Sequence, residues 1–153
     1  MGHDIEIIHF QEMQIVGCSV KEYEQLSEIW ERSVRATHDF LTEKDIYEIK
    51  AVLTTDYFPN VDLYTLVDNG VSIGFIGLSG SVIEMLFIDD AKRGQGYGSV
   101  LIEFAKSHGA TKVDVNEQNP SALRFYEAKG FKVMGRDETD DAGRPYPILH
   151  LSL

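Results

Sequence analysis

The sequence predicts an α/β (α+β) fold: a mixed, mostly antiparallel sheet of about six to seven strands with helices on both faces. Three features carry that expectation. Stretches of alternating period are interleaved with stretches of helical period. Asn69-Gly70 joins two apolar runs, and this dipeptide suits a type I′ hairpin turn, which needs positive φ at both positions. The apolar run from Val82 to Ile88 leads through a glycine loop into an amphipathic segment ending near His108. The elements read β-α-α-β-β-β-α-β-α-β-β.

Each element has its own signal. Ile5 to Ile8 is a short apolar piece that diagnoses nothing, and Met1-Gly2-His3 is compatible with a cloning remnant. Met13 to Cys18 reads as a first strand. Ser19-Val20-Lys21-Glu22 is a capping box, so a helix should start there. Tyr23, Leu26, Ile29, Trp30 and Val34 form its apolar stripe. It runs to about residue 36. Thr42-Glu43-Lys44-Asp45 is a second, weaker cap, followed by a helical face of Ile46, Ile49 and Leu53. Pro59 and Asn60 break the chain.

Val61 to Asp68 alternates as a strand, and Val71 to Ser79 returns. Gly74 and Gly77 within it mark a bulge or a close backbone approach. Val82 to Ile88 presents Glu84, Leu86 and Ile88 on one face and Ile83, Met85 and Phe87 on the other. Both faces are largely apolar, so this strand should be central and covered on both sides. Leu101, Phe104, Ala105 and His108 follow helical spacing, with Gly109 as the stop. Lys112 to Asn116 is a short strand. Asn119 is a natural N-cap with Pro120 at the first helical position, and Gly130 ends that helix. Phe131 to Gly135 and Tyr146 to Leu153 close the sheet.

Composition narrows the function. At 153 residues the chain is expected to form one domain over 1–153, burying roughly 70% of its unfolded surface. The net charge of −11 argues against nucleic-acid binding, which needs basic surface, and favours cationic substrates such as amines. It also serves solubility alone. No apolar run approaches the ~20 residues of a membrane span, and no signal peptide is expected. Cys18 is the only cysteine, which fits a reduced, cytoplasmic setting. The histidines show no H-E-x-x-H or close pairing, so no metal is expected.

The chemistry should centre on Arg93-Gly94-Gln95-Gly96-Tyr97-Gly98. Glycines let the main chain approach a ligand, and free N–H groups at a helix start favour an anion. Arg93 adds positive charge. The site should therefore grip a phosphate or pyrophosphate. The dinucleotide fingerprint G-x-G-x-x-G has another spacing, and no Gly-Lys-Ser/Thr ending marks a P-loop. Asp114 lies 20 residues beyond Gly94, but within a predicted strand, which disfavours a Rossmann reading.

The loop resembles R-x-x-G-x-G, the pyrophosphate loop of the GNAT family of N-acetyltransferases. Asn119 to Phe131 resembles that family's N-x-x-A-x-x-F-Y-x-x-x-G-F motif. The two motifs, in order and correctly spaced, cover about residues 82–133. The resemblance implies a sheet splayed into a V with acetyl-CoA in the cleft. It implies acetyl transfer to a primary amine by direct attack in a ternary complex. The alternative is a non-catalytic acyl-CoA-binding or sensing module on the same scaffold.

Carried onto this sequence, the resemblance gives the pyrophosphate to Arg93, Gly94, Gln95, Gly96, Tyr97 and Gly98. The main chain at Leu86, Phe87 and Ile88 would line the pantetheine and acetyl carbonyl. Asn119 would contact the pantetheine arm while capping its helix, and Phe125 would stand on the same side. Tyr126 matches the tyrosine that serves as general acid near the sulfur; a packed core tyrosine is the plain reading.

Two residues compete as general base. Glu84 is a carboxylate in an otherwise apolar strand, costly to bury without a reason, and a structural ion pair is its plain reading. His38 offers an imidazole near neutral pH. Asn116 and His150 are further candidates for the acceptor pocket. Cys18 and Trp30 read as core. Acceptors from polyamines and aminoglycosides to peptide N-termini and protein lysines all suit an acidic surface, and the family's habit of dimerising leaves a homodimer open.

Overall fold

The computed structural model describes residues 13–153, so the apolar piece at 5–8 and the first three residues lie outside it. Among the described residues, seven strands form one sheet in the order β1-β2-β3-β4-β5-β7-β6. The strands are β1 (Met13–Gly17), β2 (Asp62–Asp68), β3 (Val71–Ser79), β4 (Val82–Ile88), β5 (Lys112–Asn116), β6 (Lys132–Asp137) and β7 (Ile148–Ser152). The principal helices are α1 (Tyr23–Thr37), α2 (Glu43–Val52), α3 (Tyr97–Ser107) and α4 (Pro120–Ala128). All neighbouring strands run antiparallel except β4 and β5.

Local chemistry explains the boundaries. The Glu22 carboxylate accepts hydrogen bonds from the Ser19 N–H at 3.0 Å and its hydroxyl at 2.7 Å. A 3-10 turn at Val20–Glu22 precedes α1. Thr42 Oγ1 caps α2 by accepting from the Asp45 N–H at 3.1 Å. Asn69 and Gly70 adopt φ of 53° and 75°, as a type I′ turn requires.

The sheet separates two apolar layers. Leu26, Ile29, Trp30, Val34 and Leu53 pack with Phe58 and Phe75 on one face. Leu101, Ile102, Ala105, Tyr126 and Phe131 pack with Ile73 and Ile76 on the other. Trp30 is buried helix packing, as expected.

The face assignment within β4 needs correction. Gly77 pairs with Met85, yet the next residue, Leu78, pairs with Ile83. Glu84 is therefore an extra residue, a β-bulge, and the alternation changes phase across it. Ile83 joins Leu86 and Ile88 in the α3/α4 layer, while Met85 and Phe87 pack toward α1 and α2. The strict period of two broke where one residue was inserted. Gly77 sits opposite the bulge, where a Cβ would come within 2.8 Å of Met85 Cγ. A side chain there would collide with the neighbouring strand.

Candidate active site

The cleft forms where β4 and β5 part. Their parallel ladder is limited to Val82 with Lys112 and Ile83 with Val113. From Glu84 onward, β4 has no ladder partner on its β5 side among the described residues, although β3 still pairs with it as far as Ile88. The bulge begins where the ladder stops. A cleft of about 960 Å³ opens there.

The floor of the cleft is the strand itself, Ile83 through Ile88. One end is closed by Arg93, Gly94, Gly96, Tyr97 and Gly98, and a side wall by Asn119, Phe125 and Tyr126. The opposite wall includes Ser33, Thr37 and His38 at the end of α1. The predicted catalytic and cofactor residues line this cleft except Gln95, which is exposed outside its lining, and of the two further acceptor-pocket candidates Asn116 lines it and His150 does not.

The glycine loop is a main-chain site. Gly94 and Gly96 have φ of 77° and 86°, in the left-handed region. Gly96 is the N-cap of α3 and offers no side-chain cap, so the first-turn N–H groups stay available to an anion. A Cβ on Gly94 or Gly96 would meet no protein atom within 4 Å; the requirement for glycine there is the backbone conformation. Gly98 differs. Its φ is ordinary, and a Cβ would lie 3.1 Å from Phe125 Cζ. The third glycine thus admits a neighbouring ring. Arg93 Nε lies 3.0 Å from Asp90 Oδ1. The Tyr97 hydroxyl donates to Asp68 Oδ2 at 2.7 Å, tying the start of α3 to the end of β2.

On the side wall, the Asn119 side chain accepts from the Ala122 N–H at 3.2 Å and is 8% exposed. Tyr126 is buried between Phe125 and Phe131, with edge-on ring contacts of 5.2 Å and 5.8 Å. Its hydroxyl has no hydrogen-bond partner among the described residues. Burial pushes its phenol well above the ordinary tyrosine range. Such a phenol stays protonated at neutral pH and yields its proton only to a strong base.

The two base candidates are shifted in opposite directions. Glu84 is not buried, because the bulge turns it out at the parting of the strands. Partial desolvation raises its carboxyl, with further contributions from Asp114 and Asp141. His38 is half-buried at the C-cap of α1, and burial lowers its imidazole to about 4, against a small opposing effect of Asp39.

Several features were absent from the sequence reading. Asp114 lines the cleft beside Asn116, whereas His150 lies outside the lining. His150 instead bridges Asp114 and Asp137, at 2.7 Å to each. Ser33 also lines the cleft; it lies four residues before Thr37, and two polar residues at that spacing beside the apolar stripe of α1 were a usable signal. The loop after β6 is fastened to α2: Arg144 lies 3.4 Å from Asp45 and 3.3 Å from Glu48. The Tyr146 hydroxyl also donates to Asp45. Cys18 lies outside the cleft lining, and burial raises its thiol. Among the described residues, no group of three or more His, Cys, Asp or Glu could hold a metal ion, and no helix is long and apolar enough to cross a membrane.

Comparison with known proteins gives a consistent picture. Residues 32–146 match the family model described as an acetyltransferase (GNAT) domain. The peptidyl-lysine N-acetyltransferase YjaB of Salmonella typhimurium is 46% identical over 134 residues, covering 86% of this chain and 91% of the relative. The Escherichia coli protein of the same name is 45% identical over 134 residues, covering 86% and 90%. The solution structure of apo YjaB from Escherichia coli superimposes with a TM-score of 0.84 at 42% identity, covering 92% of this chain and 96% of that one. A more distant structure, YncA from Salmonella typhimurium with acetyl-CoA, shares the fold at a TM-score of 0.62 and 19% identity, covering 93% of each chain. Of the two functions open at the sequence level, the catalytic one is supported over the non-catalytic module, and the chain belongs to the GNAT family of acetyltransferases.

Proposed function

We propose that this chain transfers the acetyl group of acetyl-CoA to the side-chain amine of a lysine in a peptide or protein. The observation that carries the acetyl-CoA reading is the junction of a glycine loop with a parted strand in one cleft. The lysine acceptor rests on the peptidyl-lysine N-acetyltransferase that is 46% identical over 86% of this chain. The reading takes 1–153 as one acetyltransferase domain in the cytoplasm, using no metal.

The residues suit the cosubstrate. The N–H groups of Gly94 to Gly98 would hold the pyrophosphate, supported by Arg93. The open edge of β4 at Leu86, Phe87 and Ile88 offers main-chain groups to the pantetheine and to the acyl carbonyl. Asn119 and Phe125 flank the arm. Acetyl-CoA would supply an acyl thioester, activated for attack by an amine.

Two proton movements fall to the chain. Tyr126 holds its proton at neutral pH and can release it to a thiolate as negative charge builds, as a general acid should. Glu84 takes the proton from the lysine ammonium through water. Its carboxyl, raised first by partial burial and then by Asp114 and Asp141, is a stronger base than an ordinary glutamate, and the two aspartates also attract the cationic acceptor. His38, lowered by burial, is the poorer base near neutrality. The position of Cys18 outside the cleft favours direct attack over an acyl-cysteine route.

Calorimetric titration with acetyl-CoA, using NADH as control, tests the cosubstrate. Thioester turnover with a panel containing a blocked lysine peptide, spermidine and a free amino acid tests the acceptor. Preference for the lysine peptide is expected. Binding without turnover of any amine would overturn the enzymatic reading.

A further inference from the structure

The end of α1 presents a hydrogen-bond chain to the cleft. The Thr37 hydroxyl donates to the Ser33 carbonyl at 2.8 Å. Thr37 Oγ1 also lies 2.7 Å from His38 Nδ1. A hydroxyl has one hydrogen. With that hydrogen spent on Ser33, Thr37 must accept from His38, so Nδ1 carries the imidazole proton. Nε2 is left with the lone pair.

The ring is held in place as well as in tautomer. The main-chain N–H of His38 donates to the Val34 carbonyl at 2.7 Å, and its main-chain carbonyl accepts from the Leu41 N–H at 3.0 Å, which fixes the backbone that carries the ring. Phe40 and Phe87 stand 5.3 Å and 6.4 Å from the imidazole, centre to centre. Ser33, Thr37, His38 and Phe87 all line the cleft. A neutral acceptor nitrogen beside aromatic rings matches an alkylammonium: it can take one N–H while the rings favour the cation and its methylenes. Burial keeps the imidazole neutral at physiological pH, so it can accept this bond without charge repulsion.

We infer that His38 is a positioning residue for the acceptor amine, accepting a hydrogen bond at Nε2 in a tautomer fixed by Thr37 and Ser33. The inference rests on the amine-acetyltransferase reading above. The amine is aimed here, while its proton leaves elsewhere. An orienting residue of this kind should act mainly on KM for the amine.

The test uses the full chain, acetyl-CoA and the best amine of the acceptor panel. His38→Ala is expected to raise the amine KM about tenfold, as loss of a hydrogen bond to a charged group would. It should leave kcat, the pH–rate profile and the acetyl-CoA dissociation constant nearly unchanged. His38→Gln, whose amide oxygen can take the place of Nε2, should recover most of the loss. Long-range nitrogen NMR of the parent should show a protonated Nδ1 and a bare Nε2, and Thr37→Val should disturb that pattern. An unchanged amine KM in His38→Ala, loss of the limb on which the rate climbs with pH, or a protonated Nε2 in the parent would each overturn the inference. A parent preferring another amine would correct the acceptor class alone, since the ratio of variant to parent is still read with that amine. A parent that turns over none would overturn both.

Discussion

Along the glycine loop the groups offered to a ligand are main-chain N–H donors, held by left-handed turns at Gly94 and Gly96. Across the same cleft, at the end of α1 and the bulge of β4, they are the side chains of Thr37, His38 and Glu84. A main-chain site tolerates change in every side chain except where a side chain would forbid the turn. A side-chain site can change its selectivity with single substitutions while the fold stays put. The loop side is therefore suited to one invariant ligand group, and the far side to adjustment for different acceptors.

The largest effect expected is on the side wall between them. Tyr126→Phe should lower kcat by about a hundredfold, the common scale of a lost general acid, with acetyl-CoA affinity little changed. The hydroxyl has no protein partner among the described residues, so its removal should not unfold the chain. Steady-state kinetics beside calorimetry checks this; unaltered kcat would remove Tyr126 from the chemistry.

Glu84→Gln tests the side-chain region. Because its carboxyl is raised, the parent rate should climb with pH through a limb above the usual glutamate range. The variant should lose that limb and about tenfold or more in kcat/KM. A retained limb would assign the proton transfer to another group.

Gly96→Ala tests the main-chain region. Forcing a Cβ into a left-handed position costs about 1–2 kcal/mol, so acetyl-CoA should bind roughly tenfold more weakly if the loop relaxes to escape the strain. Gly98→Ala should do less, since its φ is ordinary and Phe125 has only to give a few tenths of an ångström. Calorimetry that ranked Gly98→Ala as the worse binder would break the distinction between the two glycines.

The smallest effect lies outside the cleft. His150 is raised, first by its bond to Asp114 and then by Asp137. A raised histidine stabilises the fold fully below its unfolded pKa, and that contribution fades as pH climbs through the higher folded value. His150→Asn should therefore lose stability most below about pH 6. The pair is exposed, so the loss should stay under about 1 kcal/mol. Urea melts across pH would show it, and a constant difference at every pH would refute the pairing as its source.

How much was legible follows the same division. Arg93 to Gly98, Asn119 and Tyr126 were visible because a turn, a cap and a motif each demand particular residue types at fixed spacing. The hairpin at Asn69-Gly70 and the stop at Gly109 were visible for the same reason. The bulge at Glu84 left no mark within β4 itself: Gly77 on β3 signalled a bulge or close approach, but which residue of β4 is the extra one depends on how the two strands meet. The face of Ile83 was misread in consequence. The Thr37–His38 relay and the fastening of Arg144 to α2 depend on tertiary neighbours, which a periodicity cannot reveal.

The parting of β4 from β5 also has a thermal side. A strand edge without a ladder leaves N–H and C=O groups to water, and among the described residues β4 is braced there by β3 alone. A ligand that binds the folded cleft and not the unfolded chain adds RT ln(1 + [L]/Kd), about 2.7 kcal/mol at a hundredfold excess over Kd. The melting temperature of this protein should then rise and fall with the supply of its acyl donor. When that donor is scarce, the molecule should be softest along its own seam.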